Sequence, residues 1–281
     1  MKCQWQELLN LLPLWLREPV DRLGQIDMEE LRLRLHKPPE MITNKGFRVL
    51  DGYVNQEDLH FCLNMATKYS PWTSGSIAHG FVTAAGGHRI GICGECVYEG
   101  GRLRNISPIS SVCIRVARQW RGTSRDCCQV PGSILIIGKP GSGKTTFLRD
   151  LVCNISENTN QAITVLDERR ELFPFNAGRY TFERGSHTDV LSGCNKKQGL
   201  EMAIRTLNPD TIAVDEITSE EDCASLTGAA WCGVRLIATA HAANKEDLLA
   251  RTIYQPLLER KIFQYLVVLQ QDKTWHREVL N

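Results

Sequence analysis

The stretch Ile134–Leu148, I-L-I-I-G-K-P-G-S-G-K-T-T-F-L, constrains this chain more than any other. A short apolar run, Ile134–Ile137, breaks at Gly138, and a helix-compatible run begins after Gly143. Between them stands the spacing G-x-x-x-x-G-K-[ST], filled by Gly138, Lys139, Pro140, Gly141, Ser142, Gly143, Lys144 and Thr145, with Thr146 following. A loop that wraps a polyphosphate must turn several backbone N–H groups inward, which needs small residues in unusual dihedrals. The next helix adds the positive end of its dipole. Lys144 is placed to reach the β- and γ-phosphates, and the Thr145 hydroxyl to hold Mg²⁺. A strand before and a helix after separate this spacing from a chance glycine loop. The chain is expected to bind a nucleoside triphosphate with Mg²⁺.

The residues downstream supply more of the same chemistry. Thr211–Glu216, T-I-A-V-D-E, reads as a buried strand that delivers Asp215 and Glu216 to the C-terminal edge of a parallel sheet. A strand-end aspartate there holds the Mg²⁺ shell, and the adjacent glutamate can orient and deprotonate a water. Ala162–Leu166 is a second buried strand, ending in D-E-R-R-E, with Asp167 and Glu168 either at the ligand edge or in a charged surface loop. Leu236–Thr239 is a further strand, ending at Ala240-His241, and His241 is either structural or a reporter of the γ-phosphate. Leu266–Leu269 is the last strand expected, and Phe173–Gly199 reads as a long glycine-containing loop. Strands alternating with helices predict an α/β core with a mostly parallel sheet covered on both faces.

The first hundred or so residues have another texture. Trp5–Leu16 reads as one helix with Trp5, Leu8, Leu9, Leu12 and Trp15 on an apolar face, which suits a core, a partner or a membrane interface. Glu30–His36 alternates leucines with Arg32, Arg34 and His36, so a half-buried strand with a basic outer face is expected. Asn55–Tyr69 is helical by spacing, and His79–Arg104 reads as glycine-punctuated hairpins turning near Gly86–Gly87 and Gly100–Gly101. Ser111–Arg118 alternates again, presenting Arg115 and Arg118. Cys93 and Cys96, with His79 and His88 upstream, raise a zinc site, but a lone C-x-x-C more often fills a strand. This smaller α+β region is expected at residues 1–125 and the P-loop domain at 126–281. Eleven scattered cysteines make no disulfide framework, and a net charge of +1 gives no sign of a nucleic-acid partner.

Together these motifs resemble the RecA-type secretion and type IV pilus motor ATPases. The segment Ile204–Glu216, I-R-T-L-N-P-D-T-I-A-V-D-E, matches their L-R-x-x-P-D stretch ahead of a glutamate, and A-T-A-H at Ala238–His241 matches their histidine box. The chain is similar, nearly end to end, to the stage III sporulation AA family. The matching runs are E-L-R-L-R near residue 30, Gly80–Gly94, Ser110–Arg118, Gly143–Asp150, Asp167–Glu171, Thr188–Cys194 and Val214–Ile217. The resemblance implies a cytoplasmic mother-cell ATPase using ATP and Mg²⁺. Such a protein is a hexamer at the mouth of a channel to the forespore, held at the membrane through the channel's membrane proteins. By the same analogy the N-terminal domain lends a basic residue across subunits, with Arg115 and Arg118 as the candidates. Two family arginines are missing: G-R-x-E-D stands here as Thr218-Ser219-Glu220-Glu221-Asp222, and R-T-D-V-L as His187–Leu191.

Overall fold

The computed structural model describes every residue except 1–2, 25–26, 44, 69–79, 177 and 281. It divides into two compact units, Lys2–Arg118 with Asn176–Thr181, and Gln119–Phe175 with Phe182–Asn281. The division falls between Arg118 and Gln119, ahead of the position near residue 125 read from composition.

In the first unit a six-stranded antiparallel sheet runs in the order β3-β2-β1-β6-β5-β4. Its strands are β1 Met28–Arg34, β2 Glu40–Thr43, β3 Gly46–Val49, β4 Phe81–Thr83, β5 Arg89–Glu99 and β6 Arg102–Arg115. The segment Ser111–Arg118 is therefore no separate strand, because the ladder from Gly100–Gly101 runs on without a turn. Leu31 and Leu33 are buried as alternation requires, in one core with Leu8, Leu12, Leu59 and Ile114. The N-terminal helix is two, α1 Trp5–Asn10 and α2 Leu14–Gly24. Pro13 between them has no N–H to donate to a continuing helix, and Trp15 turns outward to bond Asp58 at 2.9 Å. Helix α3, Gln56–Thr67, opens on a capping box in which Asn55 and Asp58 satisfy each other's backbone. Tyr69 and His79 lie outside the described residues.

The second unit holds a seven-stranded sheet in the order β11-β8-β12-β13-β7-β14-β15. Its members are β7 Ile134–Gly138, β8 Ile163–Asp167, β11 Thr188–Ser192, β12 Thr211–Ile217, β13 Arg235–Ala240, β14 Tyr265–Leu269 and β15 Trp275–Val279. All pair in parallel except β15, which runs antiparallel to β14. Two strands correct the sequence reading. β11 lies inside the supposed loop Phe173–Gly199, whose short hairpin is β9 Phe175–Asn176 and β10 Arg179–Tyr180, and β15 follows the supposed last strand. Both are edge strands with mixed burial, so neither carries the apolar run of a central strand. Helices α5 Lys196–Thr206 and α6 Glu220–Trp231 share a core with Leu135, Leu166, Val214 and Ala238. The alternate sheet residues, Ile134, Ile136, Val165 and Ile237, are equally buried and face the other side, where α4 Lys144–Asn158 packs. No helix among the described residues is long and apolar enough to cross a membrane.

Candidate nucleotide site

The sheet order puts the C-terminal ends of β8, β12, β13 and β7 side by side, and every motif of the second unit hangs from one of those ends. In an open α/β sheet that edge is where ligands bind. The loop after β7 fits a phosphate cradle. Gly141 and Gly143 have φ of +78° and +101°, values that L side chains rarely adopt. A Cβ on Gly138 would sit 2.3 Å from Ser142 Oγ and 2.9 Å from the Leu269 carbonyl, so the strand can end there only as glycine. Ser142 Oγ itself is buried without a hydrogen-bond partner.

Lys144, at the first turn of α4, is buried. Its Nζ donates to the carbonyls of Gly138 (2.8 Å) and Lys139 (3.2 Å) and to His241 Nδ1 (3.2 Å). An ammonium only donates, so Nδ1 is the acceptor and the His241 proton sits on Nε2, which donates to Glu216 Oε1 at 2.9 Å. Burial pulls the Lys144 pKa below its ordinary value, while Asp215 and Glu216 pull it back up. Thr145 Oγ1 donates to Asp215 Oδ2 at 2.8 Å. Lys139, Pro140 and Gly141 are exposed at the rim, and Thr146 is half-buried in the first turn.

Asp215 and Glu216 sit on a β-bulge. The β12–β13 register slips between Val214 and Ile217, and Glu216 takes φ +55°, a left-handed conformation that costs a non-glycine residue about 1 kcal/mol or more. Thr239 of β13 compensates. Its hydroxyl accepts from Glu216 N at 2.7 Å and donates to Asp215 Oδ1 at 2.6 Å. Thr239 was not singled out in the sequence, although it is the second residue of the A-T-A-H run. Glu216 Oε2 is ion-paired with Arg169, a second residue that sequence reasoning missed.

Asp167 and Glu168 are both engaged by the protein's own groups. Asp167 is buried and accepts the backbone N–H groups of Glu171 (2.8 Å), Leu172 (3.1 Å) and Phe173 (2.8 Å). Burial raises its pKa against those three bonds. Its carboxylate shapes the loop that follows β8. Glu168 pairs with the buried Lys196 at 2.7 Å. Arg115 belongs to the first unit, where it pairs with Glu30 at 3.0 Å. Cys93 and Cys96 are exposed on β5, and no cluster of three His, Cys, Asp or Glu that could hold a metal occurs among the described residues.

The profile of the family described as "Sporulation stage III, protein AA" matches residues 3–278. The chain belongs to that family. Stage III sporulation protein AA of Bacillus subtilis (strain 168) is 33% identical over 281 residues, covering 95% of this chain and 91% of that relative. An uncharacterized ycf45 protein of Porphyra purpurea is 26% identical over 255 residues, covering 87% of this chain and 42% of its own. Among solved structures, the ATPase DotB of Legionella pneumophila superposes with a TM-score of 0.59 at 14% identity, covering 96% of this chain and 81% of that one. The pilus retraction motor PilT, solved with bound ADP, gives 0.60 at 15% identity over 90% and 76% of the two chains. At such identities the likeness is one of fold, and it agrees with the RecA-type α/β core expected from the sequence.

Proposed function

We propose that this sporulation protein is a Mg²⁺-dependent ATP hydrolase that energises or assembles the channel joining mother cell and forespore. The observation that carries the reading is the linked set Lys144–His241–Glu216 beside Thr145–Asp215, all on one sheet edge around a glycine loop. The orphaned Ser142 hydroxyl, the close-packed Gly138 and the left-handed Gly141 and Gly143 fit a triphosphate's oxygens. A Thr hydroxyl and one carboxylate fit Mg²⁺, which takes few protein ligands and the rest from water and phosphate. Mg²⁺ bound there would supply charge neutralisation for the phosphate oxygens.

This chain's own residues do the remaining work. Lys144 and the loop amides hold the β- and γ-phosphates and stabilise charge developing in transfer. Glu216 Oε orients a water in line with the γ-phosphate and takes its proton, while His241 keeps one carboxylate oxygen in place. Asp215 is held by both Thr145 and Thr239, so the cation's ligands are oriented in advance. A hexameric ring at the cytoplasmic face, docked on membrane proteins of the channel, is part of this reading, and the family and the PilT-like and DotB-like fold support it.

The test is steady-state ATPase activity of the parent and Glu216→Gln proteins, with light-scattering mass of the latter with and without Mg·ATP. The expectation is loss of turnover by about a thousandfold with nucleotide still bound, and a larger particle with ATP. Undiminished turnover in Glu216→Gln would remove that residue's role. A monomer under both conditions would remove the ring. A second reading, a nucleotide-driven scaffold with little hydrolysis, draws on the two missing arginines. Ser219, at the place of one of them, forms a helix capping box with Asp222.

A further inference from the structure

The loop Asp167–Glu171 is held by several contacts, and one of its side chains, Arg169, meets a residue of the candidate site. Asp167 gathers the three amides that follow. From below, the buried Arg149 of α4 donates to the Leu172 carbonyl at 2.6 Å and the Glu171 carbonyl at 2.7 Å. Its guanidinium also lies 4.2 Å from the Phe182 ring centroid. Lys196 holds Glu168. The Arg170 guanidinium lies against Gly193, whose N–H donates to the Asp167 carbonyl at 3.0 Å. Arg169 makes none of these holding contacts, and its guanidinium meets Glu216.

Glu216 needs such a partner. Its backbone is at a bulge with positive φ, and its side chain is a quarter exposed with three torsions free to turn. His241 secures Oε1 from β13. Arg169, from the far side at the end of β8, secures Oε2. Two donors on two oxygens fix the plane of a carboxylate, which one donor does not. We infer that Arg169 is the positioning residue for Glu216, setting the carboxylate plane from which it acts as a base. The inference rests on the hydrolytic reading above. Its physical content is orientation, where a misplacement of about 1 Å costs on the order of a hundredfold in rate.

The experiment uses the full chain and measures kcat for ATP and the affinity for Mg²⁺ with a non-hydrolysable ATP analogue. The variants are Arg169→Ala, Arg169→Gln and Arg169→Lys. Arg169→Ala and Arg169→Gln are each expected to lower kcat at least about tenfold while analogue affinity stays within about threefold. Arg169→Lys should recover part of the loss, since a point charge replaces a two-pronged donor. Millimolar guanidinium ion should restore turnover to Arg169→Ala and leave the parent and Glu216→Gln proteins unimproved, a response that a misfolded variant cannot give. A parent that hydrolyses ATP beside variants within about twofold of it would overturn the inference alone. Equal losses in kcat and in analogue affinity would also overturn it, because Arg169 would then be a phosphate contact. A parent that binds the analogue without turning ATP over would remove the hydrolytic reading, and the inference with it.

Discussion

The two units of this chain treat charge in opposite ways. On the first unit's sheet, Glu30 accepts from both Arg32 and Arg115 at 3.0 Å, and Arg34 pairs with Glu40 at 2.6 Å, so the basic outer face read from E-L-R-L-R-L-H is neutralised where it stands. Its buried histidine, His88, is held neutral between two backbone groups. In the second unit an ammonium is buried at the head of a helix, a glutamate is forced into left-handed backbone, and a serine hydroxyl is left without a partner. Each of these costs folding free energy and lies on the same sheet edge. The paired charges of the first unit's sheet are relaxed; under the reading proposed above, the second unit's edge keeps polar groups unrelaxed until a ligand supplies the missing partner.

That contrast is broken most readily at Lys144. Lys144→Ala is expected to weaken Mg·ATP binding by at least about a hundredfold, roughly 3 kcal/mol, because a buried charged donor is lost. Isothermal titration reads it directly, and micromolar affinity in the variant would mean that the edge is not a phosphate site. The next effect is on stability. Asp167→Ala leaves three loop amides with no acceptor and should cost the second unit on the order of 3–5 kcal/mol in urea unfolding. Asp167→Asn, keeping one acceptor oxygen, should cost less. If both unfold like the parent, Asp167 is free to serve a ligand and the loop is not built on it.

What was legible in the sequence follows from how local each signal is. The phosphate loop is written in consecutive residues, because glycine is the one residue that tolerates the φ of Gly141 and Gly143. The central strands were legible as apolar runs, while β11 and β15 were not, since an edge strand needs apolar residues on one side alone. Asp167 is ambiguous in sequence for a physical reason. A carboxylate at a strand end has the same sequence signature whether it faces a ligand or turns back to cap its own loop. Thr239 and Arg169 could not be found locally at all, because each acts across strands that only the sheet order β8-β12-β13 brings together.

The first unit offers a pH test of its relaxed chemistry. Ala117 N–H donates to His88 Nδ1 at 3.2 Å, so the ring proton is on Nε2, facing the Gln4 carbonyl at 3.1 Å. Burial lowers the His88 pKa from 6.5 to about 4. The folded state therefore refuses a proton that the unfolded chain accepts. Stability is full above the unfolded value of 6.5 and falls as the pH drops towards 4, by about 3 kcal/mol at most. Denaturant unfolding of the full chain at several pH values between 7 and 4, against a His88→Gln variant, measures the difference. An equal slope in the two proteins would show that His88 is not the group responsible.

The smallest effect belongs to Arg115, and it sharpens the contrast from the other side. Its side chain is 61% exposed, so its pair with Glu30 is screened by water and salt. The Glu30 carboxyl nonetheless lies below its ordinary pKa. Burial pushes it up, and the Arg32 hydrogen bond with the Arg115 charge outweighs that push. The stability this gives is present above the unfolded pKa of the carboxyl and is lost as pH falls through the folded one. Arg115→Ala should therefore cost under about 1 kcal/mol at neutral pH, with the deficit shrinking in molar salt. Urea midpoints at low and high ionic strength read both parts. A loss above about 2 kcal/mol that persists in salt would make Arg115 as firmly bound into its surroundings as Lys144, and the division between a relaxed unit and an unrelaxed edge would no longer hold.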